Sequence, residues 1–426
     1  MRNAKVWHRL LGVERTVIEA VEFVEETDTV VASVRPRQRG RQRCGRCGRR
    51  APWYDRGEGR RRWRGLDLGV VQAWLEADAP RVNCPEHGPT VIAVPWARHN
   101  AGHTHAFDDQ VAWLAVRTSK SAVQALMRVA WRTVGAIVAR VAADARVRVD
   151  RWADLRRIGI DEISYKRGHK YLTVVVDHDS GYLIWAAPGR DKKTLRRFFT
   201  ALGAERCAQI THVSADGAQW IADVVAERCP NAVRGADPFH VVQWATEALD
   251  QVRRDAWNAA RGGKGQSTQQ SKALKKARWA LWRNPQDLTQ AQQAKLNWLA
   301  KTHPRVHRAW ALKEGLRVVF TLARHGAKTE AKHALQRWIS WARRCRIPAF
   351  VDLQRRITAH QEAIHISIDH DLSNGLVESV NTKLRLLTRM AFGYADPHAL
   401  IGLGLLALGG LCPPLPGRRH QHALTR

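Results

Sequence analysis

Past residue 156 the chain alternates between strand-like and helix-like patterning. LRRIGIDEIS, KYLTVVVD and GYLIWAAP are β-rich runs separated by the turn-like segments KRGH and HDSG, which predicts a three-stranded antiparallel meander. The pattern then predicts a helix over 192–202, a strand over 209–214, a helix over 218–228 and a short strand ending near Asp237. The resulting order is βββαβαβ, followed by more helix. From 245 to about 361 apolar residues recur almost entirely at helical spacing, broken by the polar stretch RGGKGQSTQQSK, by Asn284-Pro285 and by Pro304, as expected of an inserted helical region.

Two further segments are helical by the same criterion. SKSAVQALMRVAWRTVGAIVARVAADA carries apolar residues at Val123, Leu126 and Val129, a break at Ala130-Trp131, and a second set at Val134, Ile137, Val138 and Val141. Two short helices at an angle would place Arg132, Thr133 and Arg140 against DNA as a helix-turn-helix, although an ordinary helical hairpin has the same pattern and no turn glycine is visible. SNGLVESVNTKLRLLTRM predicts a helix capped by Ser373 or Asn374, with Leu376, Val380, Leu384 and Leu387 along one stripe. Glu378, Thr382, Arg385 and Arg389 fall on another face, which projects a carboxylate and two cations together.

Charge changes this picture. The 426 residues hold 70 Lys and Arg against 39 Asp and Glu, a net charge of +31, so polyanions are the expected partners. With 45% hydrophobic residues and 18 Trp the chain has ample core material, which excludes a disordered basic tail and suggests two or three compact units. No apolar run follows MRNAKVWHRL, and the longest apolar stretch, 400–411, is too short to span a bilayer; a soluble intracellular, cytoplasmic chain is the expectation. Basic residues are concentrated: 35–64 carries 13 Arg and two acids, and 261–283 carries seven basic residues and no acid, a face suited to a phosphate backbone or simply to solvent. The last ten residues, GRRHQHALTR, read as a basic tail.

An odd cysteine count, seven, argues against a disulfide framework, and Cys44-x-x-Cys47 and Cys84-x-x-His87 each have the spacing of a tight metal knuckle. Together they predict a closed Cys3His zinc site whose role is folding, since a closed site leaves no position for water. QAWLEADAP and the Arg-rich segment before it would form a hairpin between the pairs. His99, His103 and His105 are rival fourth ligands without the paired spacing.

Among acids, Asp161 follows the apolar IGI and Asp216 follows THVSA, as residues at the edge of a central sheet do. Neighbouring carboxylates repel unless a cation lies between them, and one or two Mg²⁺ ions there would clamp a scissile phosphate. Asp177, Asp179, Glu162 and Asp237 qualify on the same local grounds, and spacing alone does not choose among them.

GIDEISYKRGHKYLTVVVDHDSGYLIWAAPGRDKKTL, DGAQWIADVVAERCPNAVRGADPFHVVQWATEALDQVRR and SNGLVESVNTKLRLLTRMAFGY resemble the transposases of the ISL-three insertion-sequence family, and the resemblance extends over nearly the whole chain. It implies a ribonuclease H-like α/β catalytic core with a helical insertion, preceded by a zinc-binding module and a helix-turn-helix. It also implies a catalytic, Mg²⁺- or Mn²⁺-binding triad at Asp161, Asp216 and Glu378, with Arg385 at a common basic position. Asp237-Pro238-Phe239-His240 resembles the family's Asp-x-Phe-His segment, which implies auxiliary active-site roles for Asp237 and His240; a core His beside a strand end is the plain alternative. Gly217 and Trp220 stand where a larger residue and often Tyr is expected, and Pro238 replaces a common Arg. These departures bear on DNA positioning and leave the triad complete.

The implied domains are zinc-binding (1–105), helix-turn-helix (106–150), core (151–245), insertion (246–362), last core helices (363–412) and tail (413–426). The function implied is binding of an element's terminal inverted repeats, metal-dependent cleavage, and strand transfer into target double-stranded DNA by at least a homodimer. A transposase-derived regulator without catalysis, and a nuclease that cuts without joining, are the competing readings.

Overall fold

A computed structural model of the chain describes residues 4–37, 42–215, 218–261 and 268–418. The chain divides into two compact units, Met1–Asp150 with Arg389–Arg426, and Arg151–Thr388. Among the described residues no helix is long and apolar enough to cross a membrane.

The first unit begins with α1 (Ala4–Leu10) and the antiparallel pair β1 (Thr16–Val24) and β2 (Thr29–Pro36). Two small sheets follow from β3 (Trp53–Asp55), β4 (Arg60–Arg64), β5 (Gln72–Asp78), β6 (Arg81–Cys84) and β7 (Gly88–Val91), in the orders β1-β2-β5-β4 and β3-β6-β7. The expected hairpin is the antiparallel β4–β5 pair. In β5 the alternation is strict, so Ala73, Leu75 and Ala77 are buried, while Glu76 on the other face takes ion pairs from Arg60 and Arg62, 2.6 Å each.

Next come α2 (His105–Ala115), α3 (Lys120–Met127) and α4 (Trp131–Arg148). Ser119 caps α3 by accepting from the Ala122 amide, and Arg128 ends it in the left-handed region (φ 52°, ψ 49°). A glycine is therefore not needed at this turn, which explains why none is visible in the sequence. The last helix, α17 (Pro397–Leu408), packs on α4 within this unit.

In the second unit β8 (Arg157–Lys166), β9 (Lys170–Asp177) and β10 (Leu183–Pro188) form the predicted antiparallel meander. Then come α5 (Lys192–Leu202), a short α6 (Ala204–Gln209) that the patterning did not predict, β11 (His212–Ala215), α7 (Gln219–Arg228) and β12 (Val233–Ala236). The sheet order is β10-β9-β8-β11-β12, with β11 parallel to both β8 and β12. Alternation on β8 sends Ile158 and Ile160 into a core with Leu195, Phe198, Ile221 and Val224, each fully buried apolar side chain contributing about 1.5–3 kcal/mol.

The opposite face is built differently. Gly159, Ser214 and Gly235 lie side by side across β8, β11 and β12. A Cβ on Gly159 would come 2.3 Å from Val377, and one on Gly235 2.5 Å from the Ser367 hydroxyl. This row of small residues lets helices seat directly on the sheet, and it is why glycine interrupts otherwise apolar strands.

The remaining helices are α8 (Pro238–Ala259), α9 (Gln269–Lys276), α10 (Arg278–Trp282), α11 (Gln290–Thr302), α12 (Pro304–Arg324), α13 (Lys328–Arg343), α14 (Pro348–Ala359), α15 (Gln361–His370) and α16 (Gly375–Met390). A separate helical core runs from Val241 to Ile368. It begins inside α8, which runs unbroken from its Asp237 cap, and it includes α15, so the helical body extends past both ends of the expected 246–362 insertion.

Candidate functional site

The small-residue row explains how a polar site forms on one sheet face. Asp161 is two residues beyond Gly159 and so points to the same side of β8. It lies in mid-strand and does not end the strand, because pairing with β9 continues to Lys166. Its Oδ1 accepts from the Glu162 amide at 2.7 Å, and its Oδ2 from the Asn381 side-chain amide at 2.8 Å. Asn381 belongs to α16, whose buried side is Val377, Val380, Asn381, Leu384 and Leu387; it keeps Val380, Leu384 and Leu387 of the expected stripe, with Val377 buried where Leu376 was expected.

Glu378 lies one turn before Asn381, half-buried. Burial raises its carboxyl above the usual range, the negative charges of Asp237 and Asp161 raise it further, and His240 and Arg385 oppose them. The three acids and two basic groups are thus within electrostatic reach of one another. Asp161 and Glu378 are hard-oxygen donors of the type a divalent cation takes, although among the described residues they belong to no group of three close ligand atoms such as the cysteines form. Asp216 and Gly217 lie outside the described residues; β11 ends at Ala215, which is in register with Ile160 immediately before Asp161.

Asp237 is almost completely buried and caps α8 by accepting from the Phe239 amide. Burial pushes its carboxyl up, but the His240 imidazole and the amides of Asn374 and Phe239 outweigh this and hold it below the usual range. The bonds form a chain. His240 Nδ1 donates to Asp237 Oδ2 at 2.7 Å, the Asn374 amide donates to Asp237 Oδ1 at 3.0 Å, and the Ser214 hydroxyl donates to Asn374 Oδ1 at 2.5 Å. Since Ser214 has spent its only proton, His178 Nε2 must donate to it at 2.7 Å, which requires that nitrogen to carry hydrogen. His178 itself is held below its ordinary value by burial and then by Arg157.

The other acids have local tasks. Asp177 accepts from the amides of Asp179 and Ser180 in the β9–β10 turn, Asp179 pairs with Arg157 at 2.5 Å, and Glu162 pairs with Arg190 at 3.3 Å. Sequence reasoning named Asn374 only as a possible helix cap and did not single out Asn381, Ser214 or His178; the available signal was a polar residue on an apolar stripe.

In the first unit Cys44, Cys47, Cys84 and His87 converge, with all four ligand atoms within 4.8 Å of one another. Cys47 and Cys84 are 3.7 Å apart, and His87 Nδ1 is 3.8 Å from Cys44 and 3.6 Å from Cys84. For zinc–sulfur bonds of about 2.3 Å and zinc–nitrogen bonds of about 2.0–2.1 Å these are the edges of a tetrahedron, so the donor set fits Zn²⁺. Hydrogen bonding to His87 draws the Cys84 thiol down to about 6, helped by the backbone amides of Glu86 and His87. The rivals His99, His103 and His105 are outside the cluster; burial first, then nearby arginines, holds His103 and His105 down to about 4.

On α4, Arg132 is exposed and Thr133 half-buried, beside an exposed Trp131 that carries the Lys120 ammonium 3.2 Å from its ring centre. Arg140 does not share this placement. It turns inward and forms a two-pronged pair with the fully buried Asp108, 3.0 and 3.1 Å, so the structure gives it a packing role where DNA contact was expected. Arg385 and Arg389 on α16 are exposed, as are Lys272, Lys275 and Lys276 on α9.

A family model described as a transposase matches residues 158–402. A second, described as the zinc-finger of transposases IS204, IS1001, IS1096 and IS1165, matches residues 40–87 and contains all four clustered ligands. A third, the helix-turn-helix domain of transposase family ISL3, matches residues 92–142. The chain is 63% identical to the transposase for insertion sequence element IS1557 of Mycobacterium tuberculosis, over 99% of both chains. It is 25% identical to the transposase for insertion sequence element IS1001 of Bordetella parapertussis, over 93% of this chain and 96% of that one.

Proposed function

Since the chain belongs to the ISL-three family of insertion-sequence transposases, we propose that it binds the terminal inverted repeats of its element and uses Asp161, Asp216 and Glu378 to cut the DNA there and join the freed end to a target. The observation that carries this reading is geometric: α16, which bears Glu378, reaches the sheet at Asp161, where Asn381 one turn on donates to Asp161 Oδ2 at 2.8 Å. The strand order, with three antiparallel strands followed by two parallel ones, supports a ribonuclease H-like core, and α8 to α15 would be its helical insertion.

Mg²⁺ or Mn²⁺, when bound by these carboxylates, supplies charge stabilisation for the scissile phosphate and lowers the pKa of attacking water. The chain's own residues orient that chemistry. Asp161 is held by two donors, Glu378 is presented by a helix seated on the sheet, and Arg385 offers an exposed cation for a neighbouring phosphate. In cleavage a water oxygen forms the new bond to phosphorus and the 3′ oxygen leaves as a hydroxyl; in joining, that 3′-hydroxyl attacks a target phosphodiester and displaces another 3′ oxygen.

Zinc at Cys44, Cys47, Cys84 and His87 is structural, because four protein ligands fill a tetrahedron. Arg132 and Thr133 at the start of α4 are proposed to enter the major groove of double-stranded DNA, with Arg385, Arg389 and the α9 lysines on phosphates. Asp237 and His240 brace the site. Joining two ends implies a dimer at least in the synaptic complex, acting in the bacterial nucleoid.

The test is incubation of the protein with Mg²⁺ and DNA carrying the element's ends, comparing wild type with Asp161→Ala, Asp216→Ala and Glu378→Ala. Nicked and joined products from wild type alone, with end binding kept by all four proteins, are expected. Binding without any product from the wild type would sink the enzymatic reading in favour of a regulator, and nicking without joining would reduce it to a nuclease.

A further inference from the structure

Resting on that reading of the carboxylates, we propose that Asn381 is a positioning residue of the catalytic site, its side-chain amide fixing the rotation of the Asp161 carboxylate. A carboxylate turns easily about its last torsion, so its lone pairs have no set direction unless other groups hold them. Asp161 is held from two sides: the Glu162 amide on Oδ1 at 2.7 Å and the Asn381 Nδ2 on Oδ2 at 2.8 Å. The first bond is to a neighbour in the same strand and exists wherever the chain forms β8. The second comes from α16 and exists only when that helix is seated on the sheet.

Folding alone does not account for Asn381. The residue is 1% exposed and shares the buried side of α16 with Val377, Val380, Leu384 and Leu387. Leucine at such a position has higher helix propensity and no polar group to desolvate. Moreover, the Asn381 carbonyl Oδ1 is buried with no hydrogen-bond partner among the described residues. A buried acceptor left open beside clustered carboxylates suits a water or a hydrated cation, and fits poorly with a purely packing role.

The spacing adds a second consequence. Asn381 follows Glu378 by three residues, so both project from one side of α16. The helix that supplies one carboxylate also orients the other, and the Asn381–Asp161 bond ties the two directly where Val377 over Gly159 and the Asn374 bonds seat the helix. Outer partners of this kind commonly alter metal affinity about 10–100-fold when removed.

The experiment uses full-length, zinc-loaded protein and Mn²⁺ as the probe, with free Mn²⁺ followed by electron paramagnetic resonance. Wild type is expected to bind Mn²⁺ at a site that Asp161→Ala removes. Asn381→Leu should bind it about 10–100-fold more weakly, with unchanged zinc content and far-ultraviolet dichroism, and its DNA cleavage should recover as Mn²⁺ is raised, because the ligands themselves remain. If the leucine variant does not fold, Asn381→Ala, which introduces no bulk, takes its place with the same expectations. A folded variant whose Mn²⁺ affinity stays within about twofold of wild type, or whose lost cleavage no Mn²⁺ concentration restores, would overturn the positioning role. Wild type without any Asp161-dependent Mn²⁺ binding would overturn the reading of the carboxylates as a metal site, and Asn381 with it.

Discussion

The Cys3His cluster and the carboxylate site are both candidate metal centres, yet they are made in opposite ways. Each ligand pair, Cys44 with Cys47 and Cys84 with His87, closes within one tight knuckle, and a short sheet needs only to bring two knuckles together. Asp161 and Glu378 come from a central strand and a helix separated in sequence by the whole helical body, and they come within electrostatic reach because a row of small residues lets α16 settle on β8. The first site stabilises its surroundings by being filled. The second is costly by construction, since burial and neighbouring negative charge both raise Glu378. A structural metal is thus read from local spacing, whereas a catalytic one is read from mutual strain among distant groups.

The largest expected effect tests the strained site. Asp161→Ala and Glu378→Ala should each lower DNA cleavage by about 10²–10³-fold or more, with binding of the element ends retained, as measured by gel assays on labelled ends. Loss of end binding in parallel with cleavage would mean that the acids support the fold and not the chemistry.

Zinc removal probes the other side of the contrast. Structural zinc contributes about 10–16 kcal/mol in small finger peptides, so chelation or Cys44→Ser should cost the first unit its ordered knuckles and its DNA binding. Calorimetry should show the transition of the first unit falling while that of the second unit, with its own cores, stays in place. A single transition that shifts as a whole would show that the units do not unfold independently.

The same difference decides which features are legible in the sequence. The zinc ligands, the meander and α5 were readable because each depends on residues close in sequence. The bonds of His178, Ser214, Asn374 and Asp237 were not, since each joins elements far apart in sequence and asparagine or serine on a helix or strand carries no local signature of its partner. The small-residue row was visible as isolated residues, but only strand register puts Gly159, Ser214 and Gly235 side by side. Choosing Asp161 and Glu378 over Asp177 or Asp179 rested on family resemblance; the structure adds a local reason, because the latter two are engaged in a turn and an ion pair.

Arg140 and Arg132 bring the same lesson to the helix-turn-helix. Both are arginines on α4, and patterning placed both against DNA. Removing Arg140 would leave Asp108 buried without its two-pronged partner, a loss of the order of 3–5 kcal/mol, whereas Arg98 at 3.6 Å offers only partial compensation. Arg132→Ala should leave the melting temperature nearly unchanged, weaken DNA binding, and lower the salt dependence of binding by about one counterion. Equal stability of the two variants would remove the distinction.

The smallest effect concerns acid. His105 is held down to about 4 from an ordinary 6.5, first by burial and then by Arg98 and Arg148, with Asp144 opposing. A histidine whose folded pKa is depressed takes up its proton more readily when unfolded, so folding stability falls as pH drops from about 6.5 towards 4 and is fully retained above that range. At about 1.36 kcal/mol per unit the loss is at most roughly 3 kcal/mol. His103, also held down to about 4 by burial, adds a slope of the same sign, while the buried Asp108 and Asp109, raised chiefly by burial, oppose both, so the share of His105 is read only as the difference between wild type and a His105 variant. His105→Gln should flatten that slope between pH 6.5 and 4 in thermal melts run beside wild type at the same zinc content, so that protonation of the knuckle thiols, common to both proteins, cancels in the difference. An unchanged slope would show that burial of the imidazole is relieved by local opening before the unit unfolds, and that this part of the first unit is held less rigidly than the zinc knuckles beside it in sequence.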